Sequence, residues 1–258
     1  MTVLDEIIAG VLADLEVRQA ARPLEALQEA VRGLQPRDPK PGMRADGLSV
    51  IAEVKRASPS KGHLASIDDP AALALSYQAG GAVAVSVLTE ARRFGGSLAD
   101  LAAVRAAVEL PVLRKDFVVT EYQLWEGAAA GADLALLIVA ALTPSQLTDY
   151  LALGRQLGLT CLVEAHTSDE VRQARDAGAE VLGINNRNLK TLEVDLANFE
   201  EMASLIDGPT IRVAESGILS VADARRMRDA GADAVLVGEL LVRDGDPAAM
   251  VAALRSLA

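Results

Sequence analysis

The sequence predicts an α/β protein built as a closed (βα)8 barrel of the TIM type, with an N-terminal helical extension. Three observations carry that expectation. Four segments resemble one another: Ala79-Gly-Gly-Ala-Val-Ala-Val-Ser-Val87, Ala130-Gly-Ala-Asp-Leu-Ala-Leu-Leu-Ile138, Ala177-Gly-Ala-Glu-Val-Leu-Gly-Ile184 and Ala230-Gly-Ala-Asp-Ala-Val-Leu-Val237. Their glycines Gly81, Gly131, Gly178 and Gly231 recur at steps of 50, 47 and 53 residues, twice the length of one compact βα unit. Each reads as a helix ending in glycine followed by an apolar strand. Between them lie four more strand candidates, at 50–54, 111–115, 159–163 and 211–215. Short apolar strands alternating with helices imply parallel βαβ packing. Without a Gly-x-Gly-x-x-Gly turn, an evenly repeated set fits a closed barrel better than an open doubly wound sheet.

Composition agrees with this architecture. The chain has 258 residues, 51% of them apolar and only 3% aromatic, enough for one large core. The reading is one domain, with residues 1–45 as the helical extension and 48–258 as the barrel. In the extension, Leu4, Ile7, Ile8, Val11, Leu12 and Leu15 follow the spacing of an amphipathic helix. Arg22-Pro23 interrupts it, a second helical piece covers about Leu24 to Leu34, and residues 35–47 read as a Pro/Gly-rich linker. Thr143-Pro-Ser-Gln146 and Thr167-Ser-Asp-Glu170 read as helix N-caps.

The totals also exclude function classes. A formal charge of −11, from 36 acidic and 25 basic residues, argues against nucleic acid or an anionic membrane surface as partner. The longest apolar run, Leu134 to Leu142, is far too short to span a bilayer. Asp5 and Glu6 stand where a secretory signal would be basic. The single cysteine, Cys161, allows no intramolecular disulfide and suits a reducing compartment, so a cytoplasmic location is expected. Two histidines and one cysteine make a transition-metal site unexpected. The expected assembly is a monomer or weak homo-oligomer.

Sites in this architecture lie at the C-terminal ends of the strands, which can be read in turn. Ile51-Ala-Glu-Val-Lys55 brings Glu53 and Lys55, two residues apart, to the first strand end, ahead of a polar loop at 57–63 expected to be mobile when empty. The second strand ends at Ser86 and Thr89. The third contributes Lys115, on the parity of Leu113 and Phe117, whereas Arg114 and Asp116 have the parity of the outer face. The fourth ends in apolar Ile138 and Val139. The fifth contributes Glu164, the sixth ends Gly183-Ile-Asn-Asn-Arg187, and the seventh contributes Glu215. Three glutamates and two lysines on one rim are material for proton transfer. Glu90, Arg92 and Arg93 read as a solvated loop, and His166 as a supporting or surface group. After the seventh and eighth strands, Ser216-Gly217 and Gly238-Glu239 place small residues before helices, where backbone N–H groups can hold a phosphate with help from Arg187 and Lys55.

Ile51-Ala-Glu-Val-Lys-Arg-Ala-Ser-Pro-Ser60, Leu113-Arg-Lys-Asp-Phe117, Leu162-Val-Glu-Ala-His166, Gly183-Ile-Asn-Asn-Arg187 with Leu189 and Thr191, and Ala214-Glu-Ser-Gly-Ile218 together resemble the indole-3-glycerol phosphate synthase family. The resemblance runs over essentially the whole chain, including the extension. It implies conversion of 1-(2-carboxyphenylamino)-1-deoxyribulose 5-phosphate to indole-3-glycerol phosphate, with loss of CO2 and water and without a cofactor. It also implies roles: Lys115 as general acid, Glu164 as the acid/base group of dehydration, and Lys55 as partner of the substrate carboxylate. Glu53 and Glu215 would orient the lysines, and Asn185 would hold the intermediate. Phe94, Phe117, Pro59 and Leu189 would wall the aromatic ring. Ser58, Ser216, Gly217 and Gly238, with Arg187, would serve the phosphate. Two positions depart from the commonest pattern: Asn188 stands where many members have Asp, and Glu239 where many have a small hydroxyl residue. The competing readings are a phosphoribosylanthranilate isomerase-like barrel, which usually lacks the two-lysine set and the long extension, and a non-catalytic barrel binding a phosphorylated metabolite.

Overall fold

The computed structural model describes residues 2–58, 62–64, 66–188, 191–243 and 245–257. Its eight main strands are β1 (Ser49–Val54), β2 (Ala84–Leu88), β3 (Val112–Lys115), β4 (Leu134–Ile138), β5 (Thr160–Ala165), β6 (Val181–Asn185), β7 (Ile211–Glu215) and β8 (Ala234–Val237). All pair in parallel with their sequence neighbours, and β1 pairs with β8 to close the barrel. Outside it lie α4 (Pro70–Ala79), α5 (Leu98–Ala107), α6 (Glu121–Ala129), α7 (Pro144–Leu157), α8 (Ser168–Asp176), α9 (Ala197–Ala203), α10 (Val221–Asp229), α11 (Glu239–Arg243) and α12 (Pro247–Arg255). The four repeated glycines all adopt positive φ, between +83° and +96°. Only glycine enters that region without steric cost, which is why the repeat is spelled the same way four times.

Strand alternation divides the apolar residues into two sets. Ile51, Ala84, Leu113, Leu134, Leu136, Leu162, Val181, Ile211, Val213 and Leu236 fill the barrel interior. Val50, Ala52, Val85, Val87, Val112, Leu137, Val163, Leu182, Ala214 and Val235 face the helices. Each buried Val, Leu or Ile contributes about 1.5–3 kcal/mol of transfer free energy, so most strand positions on both faces are apolar.

The extension closes the barrel at both ends. Helix α1 (Val3–Ala21) starts with a capping box, in which Thr2 Oγ1 accepts from the Asp5 amide at 3.2 Å and Asp5 Oδ2 accepts from the Thr2 amide at 2.7 Å. Its Leu4, Ile7 and Val11 join the interior cluster from the C-terminal rim. Helix α2 (Leu24–Ala30) is shorter than the sequence suggests and gives way to turns. Residues 35–47 are not a passive linker: they contain a short helix, α3 (Lys40–Met43), whose Met43 is completely buried in the interior cluster. The Arg37 guanidinium donates to the carbonyls of Val108 and Leu110, both at 2.8 Å, and its amide to Asp133 Oδ1 at 2.7 Å. These groups precede β3 and β4, so the segment seals the N-terminal end of the barrel. Among the described residues no helix is long and apolar enough to cross a membrane.

Strand β1 ends at Val54, one residue short of Lys55. Beyond it, Ala57–Ser58 pairs antiparallel with Gly62–His63. The expected mobility of the 57–63 loop rests on 59–61, which lie outside the described residues.

Candidate active site

The C-terminal rim surrounds a cavity of about 480 Å³, within the size range of small-molecule sites. Glu53, Lys55, Lys115, Glu164, Asn185 and Glu215 all line it. Strand register explains the convergence: Glu215 sits beside Asn185 on the β6–β7 ladder, and Glu164 beside Gly183 on β5–β6. Lys115 Nζ lies between two carboxylates, 3.4 Å from Glu164 Oε2 and 3.3 Å from Glu215 Oε2. Glu53 is ion-paired with Lys55, and its carbonyl accepts from the Tyr77 hydroxyl at 3.1 Å. The pair is thus made at the end of β1, where the sequence places it.

The electrostatics follow from burial and charge. Burial pulls the Lys115 ammonium down, but the Glu164, Glu215 and Glu53 carboxylates outweigh it and leave the group well above the usual lysine range. Glu164 is pushed up by burial, yet Lys115, His166 and a hydrogen bond from Asn185 hold it far below the usual carboxylate range. Glu215 shifts the other way: burial and the nearby Glu164 charge raise it, against Lys115. Although Lys115 Nζ is near, neither Glu215 oxygen has a hydrogen-bond partner of good geometry among the described residues. Two carboxylates facing one ammonium cannot both ionise cheaply, and Glu215 is the one that holds a proton more readily.

Room for Glu215 comes from a missing side chain. A Cβ at Gly183 would lie 2.0 Å from Glu215 Oε1 and 3.2 Å from Leu162 Cδ1. Gly183→Ala is therefore expected to displace the Glu215 carboxylate and lower kcat/KM by roughly 10²-fold or more, on the scale of a misplaced catalytic group. Steady-state kinetics on the purified variant test this, and unchanged kcat/KM would show that Glu215 need not sit there. Gly238 similarly leaves space for Glu53, whose Oε2 would be 3.0 Å from an added Cβ.

The remaining expected residues divide. Phe94 and Phe117 line the cavity with ring centroids 6.1 Å apart, tilted by 42°. Ser58, Arg187, Ser216, Gly217, Gly238 and Glu239 also line it. Ser216 and Gly217 both take positive φ, +65° and +79°, and a Cβ at Gly217 would meet Val194 Cγ1 at 2.4 Å. A serine in that region is uncommon and marks a backbone held by its surroundings; the Asn186 side-chain Nδ2 donates to the Ser216 carbonyl at 3.2 Å. The Arg187 amide donates to Asn185 Oδ1 at 2.9 Å, and its guanidinium to the Leu192 carbonyl at 2.9 Å. Burial lowers Arg187 against the opposing charge of Glu239. Leu189 and Pro59, expected as ring walls, lie outside the described residues.

Several contributors escaped sequence reading. Val3, Leu4 and Ile7 of α1 form an apolar wall of the cavity. Their periodicity marks a helix but not what the helix covers. Glu90 is buried, not solvated: its carboxylate accepts from the amides of Arg92, Arg93 and Phe94 at 3.1, 2.7 and 3.1 Å. Arg92 in turn holds Asp14 of α1 at 2.8 and 2.6 Å, so α1 is seated on that loop. His166 lies between Glu164 and Glu170. Burial pulls it down, but those two carboxylates raise it to about 9. A raised histidine contributes stability that is complete below its ordinary value of 6.5 and is lost as pH rises through about 9. The melting temperature of the wild-type protein is thus expected to fall more steeply between pH 7 and 10 than that of His166→Gln. Parallel curves measured by calorimetry would contradict the charge assignment.

Residues 4–254 match the sequence profile of the family described as indole-3-glycerol phosphate synthase. Among curated relatives, the chain is 58% identical to "Indole-3-glycerol phosphate synthase" of Streptomyces griseus, over 98% of this chain and 95% of that one. It is 56% identical to the protein of the same name from Mycolicibacterium vanbaalenii, over 98% of this chain and 93% of that one. Solved structures that share the fold include "Crystal Structure of 3-Hexulose-6-Phosphate Synthase", with TM-score 0.63, 18% identity and coverage of 81% of this chain and 99% of that one. Another is a thiamine phosphate pyrophosphorylase from Pyrococcus furiosus, with TM-score 0.62, 15% identity and coverage of 83% and 96%. At those identities they speak for the barrel alone. With its profile matched almost end to end and its relatives more than half identical, the chain belongs to the indole-3-glycerol phosphate synthase family.

Proposed function

We propose that this protein converts 1-(2-carboxyphenylamino)-1-deoxyribulose 5-phosphate to indole-3-glycerol phosphate, CO2 and water. The observation that carries the reading is Lys115, an ammonium at the cavity floor held between Glu164 and Glu215. In the proposed sequence, the aromatic carbon that bears the carboxylate attacks the ketone carbon. As that bond forms, the ketone oxygen takes a proton from Lys115, whose raised value keeps it charged through the neutral range. Lys55, paired with Glu53, faces the substrate carboxylate and fixes the ring over the carbonyl carbon, a proximity effect. The electrons of the breaking C–CO2 bond then restore aromaticity. In the last step the new hydroxyl takes a proton from the Lys55 ammonium and leaves as water, while Glu164, ionised in this setting, takes the proton from the adjacent carbon.

The walls suit such a substrate. Phe94 and Phe117, with the apolar face of α1, accept the ring. Ser216, Gly217 and Gly238 line the same cavity with Arg187 and can offer backbone N–H groups, the chemistry a phosphate needs. Asn185, which lines the cavity beside Glu164, positions the intermediate, while Glu53 and Glu215 orient the lysines and bind sugar hydroxyls. A cytoplasmic setting fits Cys161, a buried free thiol pushed up to about 12 by burial. Purified protein incubated with the carboxyphenylamino-deoxyribulose phosphate is expected to develop indole fluorescence with stoichiometric CO2 release. Absence of indole product, or consumption of phosphoribosylanthranilate instead, would refute the proposal.

A further inference from the structure

We infer that His166, anchored by Glu170, is a positioning residue that fixes Glu164 as an aimed carboxylate. The inference rests on the acid/base role proposed above for Glu164. His166 Nε2 lies 3.2 Å from Glu164 Oε1, while Lys115 approaches the other oxygen, Oε2, at 3.4 Å. The Nε2 contact is an ion-pair contact and not a well-formed hydrogen bond. The imidazole therefore takes one carboxylate oxygen and leaves the second toward Lys115 and the cavity.

Glu170 explains why the ring stays there. It is the third residue of α8, three positions after the N-cap Thr167, whose Oγ1 accepts from the Glu170 amide at 3.3 Å. At that position a glutamate normally reaches back to the N-cap amide and completes a capping box. Here its Oε2 reaches one residue further and accepts from the His166 amide at 2.7 Å, and it sits 3.3 Å from His166 Nδ1. The start of α8 thus clamps the backbone and the ring of His166 together. Carboxylate, imidazole and carboxylate form a line from the barrel interior outward: the side chain of Glu164 is 2% exposed, that of His166 9% and that of Glu170 20%. The charged groups in contact with the ring are Glu164 from β5 and Glu170 from α8, with Lys115 of β3 beyond Glu164.

A positive ring beside Glu164 favours its ionised form and supplements Lys115 during the step in which Lys115 gives up its proton. At that moment the ammonium charge that stabilises the carboxylate is lost, and the imidazolium remains. Without His166, Glu164 would be protonated more easily and free to turn. Partners that orient an acting group are commonly worth roughly 10–100-fold in activity.

The test is a set of pH–rate profiles on folded wild type, His166→Gln, Glu170→Gln, Glu164→Gln and the double variant Glu164→Gln/His166→Gln. His166→Gln is expected to lower kcat by about tenfold or more with KM changed less than about threefold. It should also acquire an acid limb in kcat/KM at least ~1 pH unit above any limb of the wild type. Glu170→Gln should shift the limb in the same direction by less. In the Glu164→Gln background, His166→Gln should cost nothing more, because the two residues act as one unit. An unmoved acid limb, or losses that multiply in the double variant, would overturn the inference and leave His166 a packing residue. Wild-type kcat in Glu164→Gln would instead remove the role of Glu164 itself, whatever the result at His166.

Discussion

Replacing Lys115 by Met is expected to lower kcat by roughly 10²–10⁴-fold, the usual worth of general acid catalysis, with little change in KM. Methionine keeps an apolar stem on the strand face that carries Leu113 and removes only the proton donor. The ammonium it deletes lies 3.4 and 3.3 Å from two carboxylates that are each 2% exposed, so its loss carries an electrostatic cost. Glu215, already raised by burial, can take up a proton and relieve that cost. The fold should therefore survive with a modest fall in melting temperature. A lysine that merely closed a charge cluster would give the opposite pair of results, a large fall in melting temperature and near-normal turnover. Both quantities measured on the same variant decide the matter.

The largest loss of stability is expected one residue earlier, from Arg114→Met. Arg114 points away from the barrel interior and is 1% exposed. Its Nη2 lies 2.9 Å from Asp116 Oδ2 and 3.0 Å from Glu126 Oε2, its Nη1 donates to the Gln123 carbonyl at 2.6 Å, and its Nε donates to Thr89 Oγ1 at 3.3 Å. Gly127 on α6 makes room for it, since an added Cβ would meet Arg114 Cδ at 3.1 Å. Glu126 is shared with Arg18 of α1 at 2.7 Å, so the cluster ties the extension to the strand that carries Lys115. Breaking one partner out of a buried ionic cluster costs about 3–5 kcal/mol, because Asp116 stays buried without that cation while Glu126 is left to Arg18. Denaturant unfolding should show a loss of that order, with kcat lowered as well because Asp116 also accepts from the Phe117 amide at 2.8 Å. A loss below about 1 kcal/mol would place Arg114 among ordinary surface-like pairs.

Much of this protein was legible without its fold. Helix-ending glycines, apolar strands and their regular spacing dictate a (βα)8 barrel, since each signal is local: a left-handed φ, a period of two, a period near four. Parity then turns Lys115 and Glu215 inward, because side chains on a strand alternate whatever the strand packs against; the strand ends bring Glu53 and Glu164 to the same rim, and Asn185 joins them only through the family resemblance. What local rules cannot supply is which residues from distant strands and helices meet. The gap at Gly183 that admits Glu215, the seat of Arg114 between Thr89 and α6, and the hold of Arg92 on Asp14 of α1 each join residues far apart in sequence. So do the plug formed by Met43 and the wall formed by Leu4 and Ile7. His166 and Glu170 are only four residues apart, yet their shared purpose depends on where Glu164 points inside the closed barrel. The sequence by itself determines the faces and ends of the elements. The tertiary structure alone decides their contacts, because barrel register and helix docking bring together groups that no local periodicity relates.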